Sequence, residues 1–174
     1  VVTFVIFDDV NYINKGWINR NRILLNKKEY IFTIPLEKVS QNKLINEINI
    51  VEGIEWKGKF LRTIETAYKK EPLFHCVFPL IVDIINFEEK NLSVYIGHSI
   101  KTLCNFLEIN TQIVDSSISY NTVKLKGQNK ILEICSQERA SQYINQIGGY
   151  EIYQKDLFKQ KQLELLFIKS KPIF

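Results

Sequence analysis

The stretch TFVIFDDV, residues 3–10, decides the reading of the fold. Phe4, Val5, Ile6 and Phe7 follow one another without polar alternation. A strand wetted on one face alternates apolar and polar residues, whereas a strand covered on both faces does not. The run therefore predicts a buried strand of an α/β sheet. It ends on two adjacent acids, Asp8 and Asp9.

Working outward, RILLNKKEYIFTIPL (22–36) predicts a hairpin of two β-rich runs joined at Asn26-Lys27-Lys28. Residues 37–46 are polar and predict a loop, and EINIV (47–51) predicts a further short strand. Three stretches then carry the helical period. Phe60, Leu61, Ile64, Ala67 and Tyr68 share a face within 55–70. Phe74, Val77, Phe78, Ile81, Ile84 and Ile85 share one within 73–87, where Pro79 is expected to kink or shorten the helix. Leu92, Tyr95, Ile96, Ile100, Leu103, Cys104 and Leu107 line up within 92–107. TQIVDSS predicts a strand, KLKGQNKILEICSQ a helix, QYINQIGGYEIY a strand entering a Gly-Gly turn, and LELLFIKS a last strand.

Strands separated by helical stretches indicate α/β. The expectation is a small mixed, mostly parallel sheet with flanking helices, a β-hairpin and a helical cap or subdomain over 55–108. The 174 residues suit one domain, 1–174, and a content of 45% hydrophobic and 12% aromatic residues supports a real core. No apolar run approaches the roughly 18–20 residues of a membrane span. The chain begins inside a strand-like run and contains no Met, so part of the natural N-terminus is expected to be missing. Three cysteines, 76, 104 and 135, are widely spaced without a CxxC pair. This favours thiols in a reducing cytoplasm over a disulfide framework or a zinc site, and no metal site is expected. The net charge of +4 suits an anionic small molecule and is too small and scattered to make nucleic acid the main partner.

In open α/β sheets ligands gather outside the carboxyl ends of the strands. Three strand ends here carry polar groups: Asp8-Asp9, Asp115-Ser116-Ser117, and Asn145 with Gly148-Gly149. Parallel neighbours would bring them to one crevice. Asp8 or Asp9 suits a general base or a divalent cation, although neighbours on one strand point to opposite faces. Arg20 and Arg22 carry the planar fork that matches phosphate or carboxylate, and Trp17 offers a plane for a base or sugar ring. Without a ligand, the same residues describe a solvated hairpin with Trp17 in the core. Lys124, Lys126 and Gly127 open a predicted helix, a reasonable anion site or an ordinary charged first turn. His75 adjoins Cys76, but adjacent helical residues do not face each other. No nucleophile elbow, zincin motif, P-loop or dinucleotide fingerprint is present, and the cofactor stays unknown.

The blocks FVIFDDVNYINKGWINRNRI, SQNKLINEI, LKGQNKILEIC and YINQIGGYEIY resemble, in order and spacing, the WbqC-like family. The resemblance covers nearly the whole chain, with the DD…W-x-NRN and Y-x-N…GG blocks its most specific parts. Members usually carry one more N-terminal strand and helix with a Gln-Pro-aromatic loop, and a Pro where this sequence has Gln146. The resemblance implies a bacterial protein of surface-polysaccharide (O-antigen type) biosynthesis. Relatives are encoded beside genes for nucleotide-activated amino sugars and are often labelled aminoacyl, specifically glycyl, transferases. Over matching positions it implies a site of Asp8, Asp9, Trp17, Asn19, Arg20, Asn21, Ser116, Lys126, Gln128, Tyr143, Asn145 and Gly149. Arg22 joins these from the guanidinium-fork reading and Gly148 from the strand-end reading.

Two function classes compete. In the first, an enzyme binds a nucleotide-activated amino sugar, and Asp8 or Asp9 deprotonates its amine for attack on an activated acyl donor. In the second, the same residues hold a nucleotide sugar for a partner enzyme without turnover. Nucleic acid, as a charged tRNA acyl donor, is a lesser third.

Overall fold

The computed structural model describes residues 2–171. The chain divides into two compact units, Val1–Ser116 and Ser117–Phe174. Its class is mixed α/β, and the strands are arranged as three two-stranded pairs.

In the first unit, β1 (Thr3–Val5) pairs in parallel with β4 (Gln112–Val114), Phe4 opposite Ile113. The pairing closes with Ile6 N–H donating to the Val114 carbonyl at 3.0 Å. The strand is thus shorter than its apolar run, and Asp8 and Asp9 lie beyond its end. The hairpin is β2 (Arg20–Leu25) and β3 (Lys28–Thr33), antiparallel, with Leu25 opposite Lys28. Its turn is two residues, Asn26-Lys27, with φ of 52° and 62°. Two consecutive positive φ values are the mark of a type I′ turn, whose twist matches that of the strands. Lys28 belongs to the strand, and β2 begins two residues earlier than the sequence suggests.

EINIV does not form a strand. Residues Ile45–Glu47 make a single 3-10 turn, and Asn49 and Ile50 form isolated bridges to Asn91 and Leu36. The segment crosses between loops, so it meets a different partner at each residue and never builds a ladder.

The three helical periods become α1 (Ile54–Tyr68), α2 (Phe74–Asn86) and α3 (Leu92–Phe106). α2 runs on through Pro79, which sits on an exposed position. Asn91 caps α3, accepting from the N–H groups of Ser93 and Val94; such a cap contributes about 1 kcal/mol. The core joins Tyr12, Ile48, Ile50, Leu92 and Tyr95, with Ile34, Trp56 and Phe87 packed around it. The hairpin rests on α1 through Phe32 and Phe60, whose rings lie 4.4 Å apart.

In the second unit, a 3-10 turn (Ser117–Tyr120) leads to α4 (Gly127–Gln137). β5 (Gln142–Gln146) then pairs in parallel with β6 (Glu164–Ile168). Between them lie a 3-10 turn, Ile147–Gly149, and α5 (Lys155–Gln160), a helix too short to show a period in the sequence. Ile131, Ile134 and Cys135 of α4, Phe158 of α5 and Leu163 are buried.

Candidate functional site

The loop after β1 carries Asp8 and Asp9 at one end and Trp17 at the other. It is pinned along its length. Asn46 N–H donates to the Asp8 carbonyl at 3.1 Å, Ile45 N–H to the Val10 carbonyl at 3.0 Å, and Tyr12 N–H to the Lys43 carbonyl at 2.9 Å. The polar segment 37–46 is therefore the brace that gives this loop its shape.

Asp8 is buried, 3% exposed. Its two carboxylate oxygens accept from two seryl hydroxyls, Ser93 Oγ at 2.7 Å and Ser116 Oγ at 2.7 Å. Ser93 lies in the first turn of α3, where the helix dipole favours negative charge. One turn on, Gly97 lies on the same face, and a Cβ there would stand 2.9 Å from Ile6 Cδ1. The close approach of α3 to the chain after β1 is what delivers Ser93 to Asp8. Ser116 comes from the end of β4, so Asp8 and Ser116 meet as the strand-end rule expects. Asp9 is half-buried, and Asp115 pairs with Lys101.

Asn19 is also buried, at 7% exposure. Its Oδ1 accepts from the Tyr12 hydroxyl at 2.9 Å, its Nδ2 donates to the Ile34 carbonyl at 2.8 Å, and its backbone carbonyl accepts from Ile34 N–H at 2.8 Å. The carboxamide thus ties the loop to the end of β3. Burial raises the Tyr12 hydroxyl pKa against the lowering effect of Arg20, which keeps it a donor at neutral pH.

Trp17 is not in the core; it is 57% exposed. Residues two apart on a strand share a face, so Arg20 and Arg22 stand together. Their guanidinium carbons lie 5.0 and 5.5 Å from the centroid of the Trp17 ring. Trp17, Arg20, Asn21 and Arg22 line an open recess of about 210 Å³. Arg22 also pairs with Glu29 across the hairpin at 2.9 Å, the side chains 59% and 50% exposed. At that exposure such a pair contributes about 0–1 kcal/mol. Arg20 Nε is buried without a hydrogen-bond partner. Asn21 is exposed, and its Oδ1 accepts from Arg22 N–H at 2.8 Å.

In the second unit, Tyr143 and Asn145 lie on β5 and point to the same side. Asn145 Nδ2 donates to the Tyr153 hydroxyl at 2.8 Å, and the Tyr143 and Tyr153 hydroxyls are 3.5 Å apart. Phe158 and Phe167 complete the aromatic cluster. Burial, then the hydrogen bond to Tyr153, raises the Tyr143 pKa. Gly149 is buried where a Cβ would stand 2.8 Å from Tyr153 Cε2 and 3.0 Å from Asn145 Nδ2, whereas Gly148 has open space. The Y-x-N…GG spacing is therefore explained at Gly149 by packing. Gln128 Oε1 accepts from Gln154 N–H at 2.9 Å and ties the start of α4 to the chain before α5. Lys126 is the exposed N-cap residue of α4, next to Gly127 at φ 54°.

The structure brings predicted residues together in three groups, two in the first unit and one in the second. Asp8 with Ser116, and Trp17 with Arg20, Asn21 and Arg22, belong to the first unit. Tyr143, Asn145 and Gly149 belong to the second. Tyr12, Ser93, Glu29 and Tyr153 are partners that sequence reasoning missed. Only Glu29 had a legible signal: once the turn is two residues, it falls diagonally across from Arg22. His75 and His98 belong to none of these groups; His98 stacks on Phe87 with ring centroids 3.8 Å apart. Among the described residues, no three His, Cys, Asp or Glu side chains gather as a metal site. No helix among them is long and apolar enough to cross a membrane.

No solved structure matches this chain. An uncharacterised protein of Mycobacterium tuberculosis is 26% identical over 144 residues, covering 82% of this chain and 61% of its own length. The chain therefore spans about three-fifths of that relative. The model of the WbqC-like protein family matches residues 1–174, so the chain belongs to the WbqC-like protein family.

Proposed function

We propose that the protein binds a nucleotide-activated amino sugar in the cytoplasm and transfers an acyl or aminoacyl group, glycyl in the first instance, to its amine. The observation that carries the ligand class is the pair of guanidiniums over one exposed indole, at 5.0 and 5.5 Å, open to a recess. Two planar cations suit phosphate oxygens, and the indole suits the face of a base or a sugar ring. Family membership adds the setting of surface-polysaccharide biosynthesis.

The transfer needs no covalent enzyme intermediate. The amine lone pair forms the new bond to the acyl carbon, and the bond from that carbon to the donor's leaving group breaks. The proton released by the amine passes to a carboxylate. Asp8 and Asp9 are the candidates for that role, and an amine reaching Asp8 must displace one of two serine hydroxyls. The same engagement of Asp8 favours a second reading, in which the protein binds the nucleotide sugar and presents it without turnover.

Calorimetric titration tests both. The panel pairs 3-amino or 4-amino dideoxy sugars, linked to a nucleotide, with their hydroxyl counterparts, on wild type, Asp8→Asn, Asp9→Asn and Arg20→Gln. Binding that prefers the amine, and that weakens at least tenfold in Arg20→Gln, supports the reading. Absence of binding to every nucleotide sugar by folded protein overturns it. Turnover with an activated glycyl donor then separates transferase from carrier.

A further inference from the structure

The two guanidiniums of the recess are not equivalent. Arg22 is held by Glu29 at 2.9 Å. Arg20 has no carboxylate partner among the described residues, and its buried Nε makes no hydrogen bond. Both stand over the same indole, on the same face of β2. Glu29 sits on β3 opposite Leu24, two residues toward the turn from Arg22. Its carboxylate therefore approaches Arg22 from the end of the recess away from Arg20.

We propose that Glu29 is a built-in competitor for Arg22 that weakens diphosphate binding at the recess, so that a diphosphate is held but readily released, while a single phosphate is unaffected. A lone phosphate satisfies Arg20 and leaves the Arg22–Glu29 pair intact. A diphosphate is long enough to present oxygens to both guanidiniums, and its second phosphoryl group takes the place of the Glu29 carboxylate. An exposed ion pair is weak enough to be exchanged. Arg22 stays oriented in the empty protein, since both the indole and Glu29 hold it. This deepens the function proposed above and rests on the hairpin recess being its phosphate subsite; it adds Glu29 as the residue that tempers the affinity for a diphosphate.

The experiment titrates the full chain with inorganic pyrophosphate and with inorganic phosphate, with circular dichroism confirming the fold of each variant. Arg20→Gln is expected to weaken both ligands. Glu29→Gln is expected to tighten pyrophosphate by about three- to tenfold, the scale of losing one exposed ion-pair competitor. It should leave phosphate within about twofold, because the Arg22 pair is untouched by that ligand. In the Arg22→Gln background the gain from Glu29→Gln should vanish. An equal gain for both anions, or a gain that survives in Arg22→Gln, would be a plain charge effect and would overturn the proposal while leaving the subsite in place. If pyrophosphate binds wild type, and Arg20→Gln weakens it but Glu29→Gln does not tighten it, the role of Glu29 fails alone. If pyrophosphate binds neither wild type nor Glu29→Gln, the subsite and the competitor fall together.

Discussion

Replacing Asn19 by alanine should destabilise the first unit without reference to any ligand. The carboxamide makes two hydrogen bonds, one from the Tyr12 hydroxyl at 2.9 Å and one to the Ile34 carbonyl at 2.8 Å. Truncation leaves both partners wanting. A buried group left without a partner costs about 1–3 kcal/mol. Tyr12 is 4% exposed and takes the upper part of that range, while the half-buried Ile34 carbonyl reaches water and takes the lower part. The expected loss is therefore about 2–4 kcal/mol for Asn19→Ala, and about 1–2 kcal/mol for Tyr12→Phe, which orphans only the Asn19 oxygen. Because the two share one bond, the double variant should fall short of the sum by about 1 kcal/mol. Urea unfolding followed by tryptophan fluorescence reads this well, since both tryptophans, Trp17 and Trp56, lie in the first unit. A stability change below about 0.5 kcal/mol in Asn19→Ala, or additivity within that margin, would refute the assignment of Asn19 to the fold. Loss of ligand affinity with stability intact would instead return Asn19 to the binding surface.

The remaining expectations can be checked on the protein without a ligand. Gly149→Ala should cost the second unit about 1–3 kcal/mol through its clash with Tyr153, whereas Gly148→Ala should stay within about 0.5 kcal/mol; hydrogen exchange of β5 amides distinguishes them. Tyrosines 12, 95, 120 and 143 all have raised pKa values, Tyr95 pushed up to about 12 by burial. Above the unfolded value of about 10 the unfolded chain binds fewer protons than the folded one, so stability present below that pH should fall as pH rises from there toward 12. Denaturant midpoints that hold steady over that window would contradict the burial of these hydroxyls. Cys135 is buried and its thiol is pushed up to about 11, chiefly by burial, so iodoacetamide should modify exposed Cys76 well before Cys135 in folded protein, as peptide mass mapping can show.

The sequence made long elements legible and short ones not, for a physical reason. α1, α2 and α3 each bury a stripe over several turns, so their periods repeat often enough to read. The hairpin was legible because its strands are rich in β-formers and a short polar turn joins them. EINIV failed because its composition is that of a strand, whereas its neighbours offer only single bridges. α5 failed because six residues do not complete two turns. The strand at residues 3–10 forms, but it is shorter than its apolar run and is not covered on both faces, since Phe4 is 49% exposed and Asp8 turns away to meet serines from α3 and β4.

The site shows the same division between what residue type reveals and what position decides. Asp8, Asn19, Arg20 and Gly149 were all marked by their motifs, yet a motif does not say whether a polar side chain serves a ligand or its own fold. Asn19 has both ends of its carboxamide bound within the first unit, and Gly149 makes room for Tyr153, so each is accounted for without a ligand. Asp8 gives both oxygens to serines that arrive from distant parts of the chain, which makes it the junction of β1, β4 and α3. The Arg20–Trp17–Arg22 group is different. Neither guanidinium is needed to close a core or a ladder, the indole between them is 57% exposed, and the buried Arg20 Nε has no bond in the fold. A side chain whose polar atoms the fold already uses has a structural reason to be there. One desolvated and held over an open recess without that use is where the binding chemistry should be sought.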